Sequence, residues 1–359
     1  MNEIVDRLAG LTNSRDRDLI DITLVQVFHD LLQPRACGIY CVVGEAGRQS
    51  WMTRAHLGAG DSFPKSDPSW IDIEHLPPLD SEPARKEALA RTEPVRTAGS
   101  SGMHRCVFPV GSDHEVLGVL EIETEEPLDT PSERIVCSIL RIYRNFQSLL
   151  DYGERDMLTG LRNRKSFDDS FMKALADVNA LADSRVPAAD VESTSTSSLG
   201  LQTGRRAGRT HRNYLGVIDI DHFKSVNDRF GHLIGDEVLL LLSRLMRNSF
   251  RFRDQVFRFG GEEFVALVRC PDDEAAVTAF ERLRQNTESY SFPQIGRITV
   301  SVGFSELRPM DSPASAFERA DRAVYFAKGN GRNQVCSHRV LVEQGNLADN
   351  SNVGGIELF

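Results

Sequence analysis

The run Val256-Phe257-Arg258-Phe259-Gly260-Gly261-Glu262-Glu263-Phe264-Val265-Ala266-Leu267-Val268 restricts the fold more than any other stretch of the chain. Residues rich in β-branched and aromatic side chains flank a Gly-Gly pair, a pattern that predicts an antiparallel hairpin whose turn takes positive φ. Two carboxylates, Glu262 and Glu263, follow the glycines at once. Glycine lets a flat or anionic ligand approach the backbone, and adjacent acids can hold a hard cation such as Mg²⁺. On its own the pattern reads equally as a tight hairpin with solvated acids.

A second acidic strand changes that balance. Tyr214-Leu215-Gly216-Val217-Ile218-Asp219-Ile220-Asp221 is an apolar run ending in carboxylates, followed by His222-Phe223-Lys224. Such a strand delivers Asp219 and Asp221 to one sheet edge, where a hairpin acid completes a cation site. Phosphoryl-group chemistry needs such a site, because metal ions neutralise the charge that develops on phosphate oxygens.

Together these stretches resemble the GGDEF family of diguanylate cyclases, here with a Gly-Gly-Glu-Glu-Phe signature. The resemblance runs from about Asp156 to Asn333 and includes the opening segment Asp156-Met157-Leu158-Thr159-Gly160-Leu161-Arg162-Asn163-Arg164. It also includes Asn227, Gly235-Asp236 and the closing run Ala320–Asn333. It implies a palm-like α/β (α+β) domain with a central, mostly antiparallel sheet. The implied activity joins two GTP into cyclic di-GMP and two pyrophosphates, with Mg²⁺ (or Mn²⁺) as cofactor.

Carried over residue by residue, the resemblance makes Asp219, the Ile220 carbonyl, Glu262 and Glu263 the metal ligands. Glu262 and Glu263 are also the acids placed to assist deprotonation of the ribose 3′-hydroxyl, and their roles stay unseparated. Lys224 is placed to face a phosphate, with Phe223 and His222 beside the base. His222 stands where the family often has an aromatic. Gly260 and Gly261 bring backbone to the nucleotide, and Lys328 and Arg332 are implied triphosphate ligands. Asn227 and Asp236 are implied to hydrogen-bond guanine. A carboxylate accepts from guanine N1–H and N2–H₂, which adenine does not offer.

Arg251-Phe252-Arg253-Asp254 has the Arg-x-x-Asp form and position of the family's product-inhibition site. Arg251 and Asp254 are its implied contacts with cyclic di-GMP, Arg282 a second contact, and Arg258 a neighbour on that surface. A non-catalytic receptor for cyclic di-GMP is the competing class, and a cyclase of another nucleotide a third. The retained acids and basic residues argue against the receptor, and Asn227 with Asp236 argues for guanine.

The remaining chain reads as a regulator. Its 359 residues suffice for two domains, and a formal net charge of -10 argues against a general nucleic-acid-binding surface, so no DNA partner is expected. Apolar positions from Arg17 to Leu32 recur at helical spacing, and Ala36–Val43 reads as a strand. A loop-dominated region over 58–101 contains a short helix near Pro83–Ala90. A hairpin then pairs Arg105–Val110 with Glu115–Ile122. The "Pro-Val" and "Leu-Gly-Val-Leu" strands resemble the end of a GAF domain over about residues 15–150, with a PAS domain as the other reading. This implies an unknown small-molecule or protein signal.

Thr130-Pro131-Ser132-Glu133 predicts a helix start, with Thr130 as cap and Glu133 closing a capping box. Ile135, Ile139, Ile142, Phe146 and Leu149 then form a heptad seam. That seam either covers the sensor core or pairs two subunits, and the second reading, a homodimer, is the one adopted. The expected organisation is a GAF-like sensor over 1–129, a signalling helix over 130–155, a GGDEF domain over 156–336 and a polar tail over 337–359. Residues 182–212, rich in Ser, Thr, Ala and Gly, are expected to be a flexible insert. The six cysteines lack a CxxC pair and read as buried free thiols. His56, His75, His104 and His114 are read as solvated. With no signal peptide and no apolar run near ~18 residues, a cytoplasmic protein without membrane association is expected.

Overall fold

The computed structural model describes residues 10, 12, 14–44, 47–68, 71, 73–91, 93–98, 102–111, 116–183, 211–251 and 253–349. The chain forms two compact units, divided between Gly153 and Glu154. Most of the expected insert, most of the end of the tail, His114 and the turn at 112–115 lie outside the described residues.

In the first unit, helix α1 (Arg17–Leu32) precedes strands β1 (Ala36–Val43) and β2 (Ser50–Gly58). Helix α2 (Pro83–Arg91), β3 (Val95–Ala98), β4 (His104–Gly111), β5 (Val116–Thr124) and α3 (Thr130–Glu154) follow. The sheet has the order β2-β1-β5-β4-β3, and all its pairings are antiparallel. α1 and α3 share a core with one side of this sheet, through Leu24, Phe28, Ile39, Phe108, Leu120, Ile139 and Tyr143. Tyr40, Trp51, Val107 and Val119 pack in a second cluster with Ala88 of α2. Arg85 lies over the Tyr40 ring and pairs with buried Glu121 at 2.7 Å.

The helix start at Thr130 is correct, but its cap is Asp129, whose Oδ1 accepts from the Ser132 N–H at 2.9 Å. Glu133 makes a bidentate bond with Arg96, both contacts 2.6 Å, instead of closing a capping box. The seam divides. Ile139 is buried in the unit's own core, whereas Ile135, Ile142 and Leu149 remain 39%, 39% and 68% exposed. Polar bonds also tie α3 to α1: Tyr143 donates to buried Asp21, and Arg17 reaches Gln147 and Asp151. Strand β3 arises within the stretch read as loop-dominated, and β2 in a stretch given no element from sequence.

The second unit carries a six-stranded sheet of order β13-β12-β7-β9-β8-β6. Its strands are β6 (Arg162–Asn163), β7 (Arg212–Ile220), β8 (Gln255–Gly260), β9 (Glu263–Cys270), β12 (Val300–Glu306) and β13 (Val335–Ser337). A separate small ribbon pairs β10 (Ser291–Phe292) with β11 (Gly296–Arg297). The central pairings are antiparallel, and only the outermost pairs, β12 with β13 and β6 with β8, are parallel. Helices α4 (Arg164–Asp183), α5 (Phe223–Phe230), α6 (His232–Ser249), α7 (Asp273–Ser289), α8 (Pro313–Gly329) and α9 (His338–Glu343) complete it.

Two cores result, consistent with a sheet covered on both faces. One joins Ile218, Ile220, Leu242 and Phe264 to Phe280 and Phe304, and the other joins Phe167, Phe171, Phe257 and Val265 to Ala320. At Gly303 a Cβ would lie 2.3 Å from the Ala320 carbonyl and Val324 nitrogen, so α8 rests directly on β12 there. Helix α6 begins at His232, with Gly235 inside it. Residues read as the start of a polar tail instead form α9, where His338 and Leu341 are buried. The described cysteines are free, and Cys137 is exposed rather than buried. No helix among the described residues is long and apolar enough to cross a membrane.

Candidate active site

The hairpin forms as its glycines dictate. Gly260 and Gly261 take φ of 148° and 50°, and Gly260 pairs with Glu263 across a bulge after Arg258. A two-residue turn thus places half-buried Glu262 at the tip and exposed Glu263 at the start of β9. Register then does the rest. β7 pairs with β9 so that Asp219 lies opposite Glu263, which brings the two acidic stretches to one sheet edge.

Asp219 is 6% exposed. Its Oδ2 accepts from Lys328 Nζ at 2.7 Å, while its Oδ1 is buried without a partner. Burial pushes the Asp219 carboxyl above its ordinary range, against the lowering effect of Lys328. Glu262 is also raised, by burial first and then by the charges of Asp219 and Glu263. A buried carboxylate oxygen without a donor, beside a second carboxylate, is an electron-rich position suited to a hard cation. No three His, Cys, Asp or Glu side chains gather as a metal-binding group among the described residues. Asp219 and exposed Glu263 both act by charge on Glu262 at this edge.

Arg258 has a structural part that sequence reading did not give it. Its guanidinium clamps the turn, donating from Nε and NH2 to the Gly261 carbonyl at 3.2 and 3.0 Å. Its NH1 reaches Asp156 at 2.9 Å, so the opening segment of this unit is bonded to the glycine turn. Asp156 also caps the Thr159 N–H and hydroxyl.

The other named residues lie in three groups. His222 takes φ of 59° at the start of α5 and is exposed, as is Lys224, whereas Phe223 is 5% exposed. Phe223 therefore belongs to the apolar core, and its ring offers little surface to a base. Asn227 of α5 lies against Gly235 of α6, next in sequence to exposed Asp236. A Cβ on Gly235 would fall 2.0 Å from Asn227 Oδ1, so the amide fills the space that glycine leaves. Lys328 ends α8, and exposed Arg332 follows in a turn with φ of 63°.

Of the Arg-x-x-Asp residues, Arg251 is exposed. The Asp254 carboxylate accepts from the Arg251 and Arg269 N–H groups at 2.8 and 3.3 Å. Burial still raises the Asp254 carboxyl. Arg282 donates to the Ser249 carbonyl at 2.6 Å. Asp321 was not singled out from sequence. Its charge acts on Asp219 from α8, seven residues before Lys328, a helical spacing that could have indicated it.

The fold and site thus define an α/β domain whose antiparallel sheet presents acids at one edge beside the basic end of a helix. Residues 197–334 match the family model described as diguanylate cyclase, GGDEF domain. Residues 197–334 of this chain are therefore a GGDEF domain. It is 39% identical over 146 residues to diguanylate cyclase DgcP of Pseudomonas aeruginosa, covering 39% of this chain and 22% of that protein. It is 31% identical over 204 residues to diguanylate cyclase A of Treponema denticola, covering 56% of this chain and 48% of that one. The chain thus spans half or less of these two relatives. A solved structure of the GGDEF domain of DgcB from Caulobacter crescentus, in complex with c-di-GMP, is 31% identical. It covers 52% of this chain and 96% of that chain, with a TM-score of 0.42.

Proposed function

We propose that the chain is a diguanylate cyclase, condensing two GTP into cyclic di-GMP with release of two pyrophosphates. The observation that carries this reading is buried Asp219, with one oxygen on Lys328 and the other unpartnered, set across from the Gly-Gly-Glu-Glu turn. Asp219, the Ile220 carbonyl and Glu262, with Glu263 alongside, would hold Mg²⁺, or Mn²⁺ in its place. All their donors are oxygens, as these cations require. The bound cation would supply charge neutralisation at the triphosphate and acidify the ribose 3′-hydroxyl.

The protein groups supply the rest. Lys328 and Arg332 would grip the β- and γ-phosphates. Asn227 and Asp236 would select guanine, and the Arg258 clamp would hold the turn against the nucleotide. Glu262 or Glu263 would take the 3′-hydroxyl proton as that oxygen attacks the α-phosphate of a second GTP. One site holds half of the reaction, so two copies must face each other; the exposed heptad Ile135, Ile142 and Leu149 supports such pairing. The first unit is read as a sensor for a small-molecule or protein signal. Arg251 and Asp254, with Arg282, are read as a product-inhibition site.

Turnover tests the reading. The full chain with GTP and Mg²⁺ should form cyclic di-GMP, Glu262→Gln should not, and added product should suppress the wild type. No product together with tight cyclic di-GMP binding would replace the enzyme with a receptor.

A further inference from the structure

Asp221 does not join the acidic edge. Its carboxylate is 6% exposed and fully engaged in the interior. Oδ1 accepts from the Ser301 hydroxyl at 2.7 Å, and Oδ2 accepts from the Thr299 hydroxyl at 2.7 Å and the Asn333 backbone N–H at 3.0 Å. The last bond reaches 112 residues along the chain, into the turn that follows Lys328.

That turn is held in an unusual shape. Gly331, Arg332 and Asn333 have consecutive φ of 105°, 63° and 45°. Non-glycine residues in this region are costly and persist where surrounding structure over-determines them. Here it does so from two sides. Asp221 fixes the main chain at Asn333, while the Asn333 side chain accepts from Arg284 at 2.8 Å and donates to Glu288 at 3.0 Å. Arg332 itself donates its N–H to the Ala327 carbonyl at 2.9 Å, leaving its side chain exposed at the end of α8.

We propose that Asp221 is a positioning residue for triphosphate recognition: its buried carboxylate holds the Gly331–Asn333 turn in the left-handed shape that aims Arg332 at the nucleotide. The proposal rests on the reading of Lys328 and Arg332 as triphosphate ligands. Asp221 touches neither nucleotide nor cation in it.

The test uses the full chain and compares Asp221→Ala, Asp221→Asn, Arg332→Ala and the double variant Asp221→Ala/Arg332→Ala. A bond from a backbone N–H to a charged acceptor is worth enough that its loss should raise the KM for GTP about tenfold. kcat should change little, and affinity for GMP, which lacks the β- and γ-phosphates, should be unchanged. The double variant should be no worse than Arg332→Ala, because both remove one interaction. Asp221→Asn should largely restore KM, since one amide oxygen can still accept from Asn333 and Thr299.

Equal losses of GMP and GTP affinity, additive effects in the double variant, or an unchanged KM in Asp221→Ala would overturn the proposal. If Asp221→Ala does not fold, Asn333→Gly loosens the same turn from the Arg284 and Glu288 side. It should give the same selective rise in KM, and an unchanged KM would again overturn the proposal. Failure of the wild-type chain to bind GTP would overturn the functional reading along with it.

Discussion

Gly235→Ala separates recognition from stability. A Cβ at this position would stand 2.0 Å from Asn227 Oδ1 and 3.1 Å from its Cγ, while Phe223 Cζ at 3.4 Å is in ordinary contact. The obstructing group is the end of a flexible side chain, so the amide swings away and the backbone stays. Alanine also suits a helix better than glycine, by up to about 1 kcal/mol, which offsets the small repacking cost. The melting temperature should therefore be unchanged or slightly higher. Guanine would lose its bonds to Asn227, and about 1.4 kcal/mol of lost hydrogen bonding corresponds to a tenfold rise in KM for GTP. Initial rates of cyclic di-GMP formation across GTP concentrations, beside a thermal melt, read both quantities. An unchanged KM, or a KM rise accompanied by a lower melting temperature, would refute the reasoning.

Two further outcomes follow from the same geometry. Burial pushes the Asp156 carboxyl up, but the Thr159 hydroxyl and N–H and the Arg258 guanidinium outweigh it and hold the group below its ordinary value. A lowered folded-state value contributes stability that is present above about pH 4 and lost as pH falls through the folded value. Asp156→Asn should thus cost about 1 kcal/mol at neutral pH, and the difference from the wild type should begin to shrink near about pH 4 and vanish only once pH falls below the lowered folded value, measured by urea denaturation. Arg251→Ala should leave the initial rate intact and weaken inhibition by added cyclic di-GMP by roughly ten- to a hundredfold, read from progress curves. Unaltered inhibition would remove Arg251 from the regulatory site.

The six-stranded sheet was legible because its determinants are local. Gly260 and Gly261 must take positive φ, the flanking residues alternate, and Asp219 ends an apolar strand; register alone then joins the two stretches. Features set by distant partners were not legible. Ile139 and Ile142 belong to the same heptad, yet one is buried and the other exposed, because periodicity marks an apolar face without naming what covers it. Asp129 rather than Thr130 caps α3 because Glu133, the expected partner in a capping box, is drawn to Arg96 on β3. Gly235 appears in the sequence only as part of a motif, whereas in the fold its lack of a Cβ admits Asn227 from the preceding helix. Asp221 resembles Asp219 in sequence, and only its bonds to Thr299, Ser301 and Asn333 separate a buried strut from a ligand at the sheet edge. Ser50–Gly58 was missed as a strand although Arg54 and His56 alternate with buried Ala55 and Leu57; the period is broken only at Met52 and Thr53.

The most direct test of the cyclase account is the stoichiometry of one reaction. Purified full-length chain is incubated with GTP and Mg²⁺, and pyrophosphate and nucleotide products are quantified together. The account predicts two pyrophosphates for each cyclic di-GMP, with both signals absent in Glu262→Gln. Pyrophosphate released with only linear or mononucleotide products, or no consumption of GTP by the wild-type chain under conditions where it binds, would contradict it.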